Sequence, residues 1–240
     1  MTAAGDLPVS GSTTIRRIAE RQVTDRATLY SILDRALVAH VAVVRDGMPV
    51  VIPFACARDG DSLLLHGSTG AGLLLRAAGG SPISVGVTLV DGLVVARSVF
   101  DNSMNYRSVV AFGVPEVLEG DAKERALHRF VDHLLPGRWE EVRPTSRREL
   151  AATLMLRLAL DEASVKVRCE AVTSEPDDGE DRAVWAGVLP IITWACEPVT
   201  HGDVPPGVTV PPSVLAAADR LRTEGRHVED AAARYAARSQ

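Results

Sequence analysis

Short alternating apolar runs separated by Asp-Gly pairs fill the first half of the chain. HVAVV (40–44), the pair Asp46-Gly47 and PVVIPFACA (49–57) predict a hairpin, because Asp-Gly supplies the positive-φ positions of a tight antiparallel turn. A second pair, Asp59-Gly60, precedes DSLLLHG (61–67), so three antiparallel strands are predicted in the first third. SPISVGVTLV (81–90) and GLVVARSVF (92–100) predict two more strands around Asp91-Gly92. A strand over Tyr106–Leu118 is interrupted by Pro115, which has no amide to give a ladder and so marks an edge or bulge. ASVKVRCEAV (163–172) alternates as a strand does, and WAGVLPIITWACEP (185–198) is apolar and strand-like.

Helical spacing is sparser. Thr24 or Asp25 caps a helix running to about Leu37, with Leu29, Ile32, Leu33, Ala36 and Leu37 on one face. Gly70–Ala78 predicts a short helix closed by Gly79-Gly80. A helix over Asp121–Leu135 stops at Pro136-Gly137. ELAATLMLRLAL (149–160) is ambiguous, with a helical turn over Glu149–Thr153 and a strand after it as one reading. SEPDDGEDRA (174–183) reads as an acidic surface loop, and 211–240 as a solvated helix. Six or more short strands with few crossover helices predict a mainly β fold, an antiparallel barrel with peripheral helices. The expected division is a disordered N-terminal tail over 1–20, a barrel domain over 21–210 and a helical extension over 211–240.

Composition narrows the function. The 240 residues are 46% hydrophobic but only 4% aromatic, so a sizeable core must be built from Val, Leu, Ile and Ala. A formal charge of −5 argues against non-specific binding to nucleic acid or anionic membrane. Cys56, Cys169 and Cys196 lie far apart with no CxxC spacing, which excludes a clustered thiolate metal site and favours reduced thiols. The N-terminus lacks a basic start followed by an apolar run, and no apolar stretch approaches the roughly 20 residues of a membrane span. A cytoplasmic protein is expected.

The candidate chemistry centres on LLLHGSTG (63–70), where a strand ends in hydroxyls and backbone amides at a helix start, a setting that holds anions such as phosphate. Arg107, at a strand start, carries a planar guanidinium suited to bidentate phosphate binding. Asn102, Ser103 and Asn105 shape a turn. His128 and His133 stand five apart on a predicted helix and are expected at the surface, and Trp194 in the core. No nucleophile–base–orienter set is visible, which suits chemistry supplied by a cofactor.

Taken together, VVIPFACA (50–57), LLLHGSTG (63–70), LVDGLVVARSVFDNSMNYRSVVAFG (89–113), RPTSRRELAATLML (143–156), EASVKVR (162–168) and WAGVLP (185–190) resemble, in order, the pyridoxamine 5′-phosphate oxidase-like family of FMN-binding split barrels. The closer match is to its flavin-nucleotide-binding branch. The resemblance implies a homodimer with FMN in clefts between subunits. It implies that Val51, Ile52, Pro53 and Phe54 pass beside the flavin ring, and that His66, Gly67, Ser68 and Thr69 meet the ribityl and phosphate groups. Arg107 and Ser108 match the pair that touches the flavin from the barrel, and Arg143, Thr145, Lys166, Arg168 and Trp185 match segments that close the cleft. Ala71-Gly72-Leu73 stands where the biosynthetic oxidase has Ser-Arg-Lys, and no Arg-Leu-His-Asp-Arg run follows near the end, so oxidation of pyridoxamine phosphate is not expected. The charge of the phosphate would then fall to Arg107 or Arg143. The implied activity is an FMN-dependent oxidoreductase acting on an unknown small molecule, with a nicotinamide or small organic reductant as electron donor. The alternative is a flavin, haem or F420 carrier or sensor without turnover, with His66 or His201 as haem ligand.

Overall fold

The computed structural model describes residues 5–70, 72–172 and 183–238, with side chains of the last helix described as far as Gly225; the acidic loop expected at 174–183 falls outside these apart from Ala183. Among the described residues there are ten strands, all in one sheet, and six helices. After a short turn at Ala19–Arg21 come β1 (Gln22–Val23), α1 (Arg26–Arg35), β2 (Val38–Arg45), β3 (Met48–Asp59), β4 (Ser62–Ser68), α2 (Gly72–Ala78), β5 (Ile83–Val95) and β6 (Ser103–Gly113). Then follow β7 (Glu116–Val117), α3 (Gly120–Leu134), α4 (Arg138–Glu141), α5 (Arg147–Ala152), β8 (Thr153–Ala159), β9 (Ala163–Arg168), β10 (Gly187–Pro190) and α6 (Pro212–Arg238).

The strands pair in the order β1-β9-β6-β5-β2-β3-β4-β8-β7, with β10 added to β5, and every pairing is antiparallel. β8 and β9 follow one another in sequence yet lie near opposite ends of this path. The sheet therefore curls, and Leu158, Leu160, Ala163 and Val165 bury into the same core as Val41, Val85 and Val109. Fully burying a side chain such as Leu63 or Leu65 stabilises the barrel by about 1.5–3 kcal/mol. A second, smaller core forms outside the barrel, where Leu127 and Phe130 of α3 pack on Ala57, Leu64 and Met155.

The β2–β3 turn has the positive φ that its sequence demands, 53° at Asp46 and 79° at Gly47. α1 begins where Asp25 accepts hydrogen bonds from the amides of Ala27 and Thr28, and it buries Leu29, Ile32 and Leu33. Its far end is held from α3, whose His133 Nε2 donates to the carbonyl of Ala36 at 2.9 Å. His133 is therefore buried and not a surface residue, because the last carbonyls of a helix need an outside donor.

Four other expectations change. Asp91-Gly92 is a bulge inside one continuous β5, because β6 pairs along the strand on both sides of it. Ser98–Phe100 form no strand; Ser98 and Asp101 close a turn that leaves Val99 and Phe100 at the surface. Trp194 is 45% exposed and lies against Gly225 of α6 rather than in the core. The N-terminal stretch is anchored at points: Leu7 is buried in the barrel core, and the hydroxyls of Ser10 and Ser12 both donate to Glu162.

Candidate ligand site

The barrel opens where β3 leaves β4. Their ladder ends at Cys56↔Leu65. Beyond that point β4 continues only on β8, through His66↔Met155, Gly67↔Leu154 and Ser68↔Thr153. β3 continues only on β2, from Ala55↔Val38 back to Met48↔Arg45. The β4-facing edge of 48–55 thus has no strand partner among the described residues. An unpaired edge is a row of donors and acceptors waiting for a partner. Val51 and Ile52 stand exposed along it, while Phe54 reaches across toward Gly67.

On the other side of this split, His66, Gly67 and Ser68 end β4 and run into a turn at Thr69-Gly70, the strand end and turn together forming the His66–Thr69 segment. A Cβ at Gly67 would meet Leu74 Cδ1 at 2.3 Å, so any larger residue there would have to displace the Leu74 side chain. The close approach seats α2 under the turn. His66 lies tilted against Phe130, ring centroids 5.2 Å apart, and burial lowers its pKa, so its imidazole is neutral near pH 7. Two of the turn's amides are already used: Thr69 N–H donates to Ala152 and Gly70 N–H to Ser68 Oγ. The groups left for a ligand are the exposed side chains of Ser68 and Thr69 rather than a full cradle of amides.

The residues expected to share the site fall into separate groups within one chain. Val51–Phe54 and His66–Thr69 border the split. Arg143 lies before α5, whose far end touches the turn through Ala152, but Glu149 holds its guanidinium at 2.9 and 2.6 Å. Thr145 is half-buried beside it. Arg147 and Arg148, on the first turn of α5, carry no carboxylate partner among the described residues and are exposed; two adjacent arginines gave no local sequence signal of this placement.

Arg107, Ser108, Lys166 and Arg168 lie on β6 and β9, with β5 and β2 between them and β3. At about 4.8 Å per strand, that puts β6 some ~14 Å from the split edge along the sheet. Arg107 does not face the His66–Thr69 turn; Asp91 takes its Nε and Nη2 at 2.8 and 2.6 Å. The bulge at Asp91 is what turns that carboxylate toward it. Arg168 is buried and donates to Asn105 Oδ1 at 2.7 Å, a structural bond that ties β9 to β6. Lys166 donates to the carbonyl of Arg17. Trp185 is exposed and packs on Gly187.

A second opening lies on the far edge of β5. β2 pairs with β5 only as far as His40↔Gly86, and β10 takes the same edge from Gly92. Residues 87–90 between them have no strand on that side among the described residues. A cavity of about 340 Å³ fills the gap, bordered by the end of α1, by Ile191–Thr193 and by Leu221 and Glu224 of α6. The C-terminal helix, expected as surface packing, is thus a wall of this cavity, pinned by Arg220 to the carbonyl of His133 and by Arg222 to that of Ala195.

An antiparallel barrel split along one strand, with an open backbone edge facing a hydroxyl-bearing turn, defines a class of ligand-holding barrels. The family model described as pyridoxamine 5′-phosphate oxidase matches residues 25–167, and the chain belongs to that family. Among solved structures, the chain is similar to a protein described as the FAD and heme binding protein from Mycobacterium smegmatis. The two are 44% identical with a TM-score of 0.80, over 82% of this chain and 97% of the other. It is also similar to the flavocytochrome Anf3 from Azotobacter vinelandii, at 35% identity and a TM-score of 0.81, over 86% of this chain and 96% of that one. None of the curated proteins matches the chain.

Proposed function

We propose that the protein is a flavin-binding homodimer of the pyridoxamine 5′-phosphate oxidase-like family and acts as an oxidoreductase on a small molecule. The observation that carries this reading is the split between β3 and β4. The unpaired edge of 48–55 offers backbone C=O groups, and N–H groups except at Pro49 and Pro53, of the kind a flavin ring edge can pair with. The hydroxyls of Ser68 and Thr69 face solvent at the end where a ribityl phosphate would lie, and the exposed Arg147 and Arg148 of α5, whose far end meets Thr69, would supply positive charge. FMN is the flavin the family resemblance implies; the two similar structures, described as an FAD and heme binding protein and a flavocytochrome, make FAD its rival.

A bound flavin would accept an electron pair from a donor and pass it on. The chain's own part is position and exclusion. Val51 and Ile52 would give the ring an apolar edge, Phe54 would add apolar surface between β3 and Gly67, and His66 stays neutral beside the turn, able to share a hydrogen bond without adding charge. Dimerisation is supported by the outer face of the sheet, where Val38, Val44, Val51 and Val90 leave apolar surface exposed for a second copy. In that dimer Arg107, Ser108, Lys166, Arg168 and Trp185 of one copy would approach the cleft of the other. No described helix is long and apolar enough to cross a membrane, and the three cysteines are unpaired, which supports a cytoplasmic setting.

A second reading adds haem beside the flavin. It is favoured by the descriptions of both similar structures and by the half-buried, neutral imidazole of His66; His201 is exposed and paired with Asp203. The absorbance spectrum of freshly purified protein separates these readings. Flavin bands support the main reading, and a Soret band together with flavin bands supports the second. A protein without flavin bands that also fails to take up FMN or FAD overturns both. Mass analysis of the released chromophore names the flavin. Anaerobic bleaching by NADH or NADPH supports turnover, and no bleaching by either supports a carrier.

A further inference from the structure

The cavity between β2, β10 and α6 lies outside the split and has its own chemistry. At about 340 Å³ it is roughly twice the ~150 Å³ space that holds benzene, and it falls in the lower part of the range of small-ligand pockets. That suits a body of about two fused rings and is too small for a nucleotide. Leu89, Ile191, Ile192 and Leu221 give it apolar walls.

Its two arginines differ. Arg107 is saturated on the side that Asp91 takes, in a bidentate pair that is mostly buried at both ends. Arg35, at the end of α1, is held loosely: its Nε stands 3.5 Å from Glu224 Oε2, and its Nη2 reaches the backbone carbonyl of Glu224 at 3.5 Å. Guanidinium–carboxylate bonds normally close to about 2.7–2.9 Å. Burial, and then the positive charge of Arg107, work against the ionised form of Arg35. A half-buried cation with a distant partner and a cationic neighbour gains from an added anion.

The charge count sets which anion. Arg35 and Arg107 are offset by Asp91 and Glu224, so the cavity is neutral before any ligand enters. A monoanion leaves one excess negative charge in a partly desolvated space, and a dianion leaves two. We propose that this cavity binds a small amphipathic carboxylate, its carboxylate on Arg35 in competition with Glu224 and its apolar body against Leu89, Ile192 and Leu221. His40, on the cavity wall, pairs across the sheet with Pro53 of β3. The proposal does not rest on the flavin reading.

Calorimetric titration of the full-length protein, with whatever chromophore it carries, tests this with naphthoate as probe. Saturable binding of one naphthoate per chain is expected. Arg35→Met should weaken it about tenfold or more, as loss of a charge-assisted bond does. Glu224→Gln keeps the shape and removes the competitor, so it should tighten binding severalfold, an effect no merely structural role of Glu224 produces. Leu221→Trp fills the cavity and should abolish binding. Neutral naphthalene methanol and dianionic naphthyl phosphate should both bind more weakly than naphthoate. No saturable naphthoate binding, weaker binding in Glu224→Gln, or tighter binding of the phosphate or the alcohol would overturn the proposal. Should Arg35→Met fail to fold, the Glu224→Gln and Leu221→Trp variants and the three probes still decide it.

Discussion

The barrel is opened twice by the same device, a strand that stops pairing with its neighbour, and the two openings end up chemically opposite. Between β3 and β4 the free edge is long, open and nearly uncharged, faced by a turn of small hydroxyl residues. Between β2 and β5 the gap is short, covered by α6 and Ile191–Thr193, and holds four charged side chains in two pairs. The difference teaches that a broken ladder does not by itself specify a ligand. What covers the break decides: an open edge takes a flat group along the backbone, whereas a roofed gap selects by size and charge.

The largest test of this contrast is a cut at each opening. Leu74 is fully buried beneath Gly67, so Leu74→Ala should cost about 2–5 kcal/mol and loosen the split. Leu221, half-buried over the second opening, should cost only about 1 kcal/mol on truncation to Ala. Urea midpoints of the two variants check this, and equal losses would break the comparison.

Next is Arg107→Met. It leaves the mostly buried carboxylate of Asp91 without its partner and should cost about 1–3 kcal/mol. A loss of that size in urea marks Arg107 as a structural partner of the bulge; no loss would return it to the pool of free ligand-binding cations.

A smaller effect separates the openings by pH. His66 at the split and His133 behind Ala36 both have pKa values lowered chiefly by burial. Their ordinary value is about 6.5, so below that pH the unfolded chain takes up protons that the folded one refuses. Stability should therefore fall on acidification below about pH 6.5. His66→Gln and His133→Gln should each flatten part of that slope in urea titrations at pH 5 to 7. An unchanged slope in both would contradict the assignment of either imidazole as buried and neutral.

The smallest expected effect is at Arg143. Its pair with Glu149 is exposed at both ends, and Arg143→Ala should leave the thermal midpoint where it is.

How far these regions could be read from sequence follows the range of their interactions. The β2–β3 hairpin was legible because Asp46-Gly47 and the flanking alternation encode it within a few residues. The helix over α3 was legible from its spacing, but the burial of His133 was not, because its partner is the carbonyl of Ala36, distant in sequence. Likewise His66–Thr69 announced a ligand turn, whereas the amide of Thr69 proved taken by Ala152. Arg107 looked like an anion anchor until the bulge turned Asp91 onto it. The second opening left no local trace at all, since it is assembled from α1, β2, β5, the stretch after β10 and α6. Pairing that depends on register across distant strands is invisible to a periodicity.

The central claim is that the flavin lies in the split between β3 and β4. Hydrogen exchange of the protein stripped of chromophore, with and without added FMN or FAD, tests it most directly. The account predicts slowed exchange at the amides of 50–52, 54 and 55 and around 66–70, with those of 87–90 unchanged. Protection confined to 87–90 and the α6 wall, with the β3 edge still exchanging freely, would contradict it.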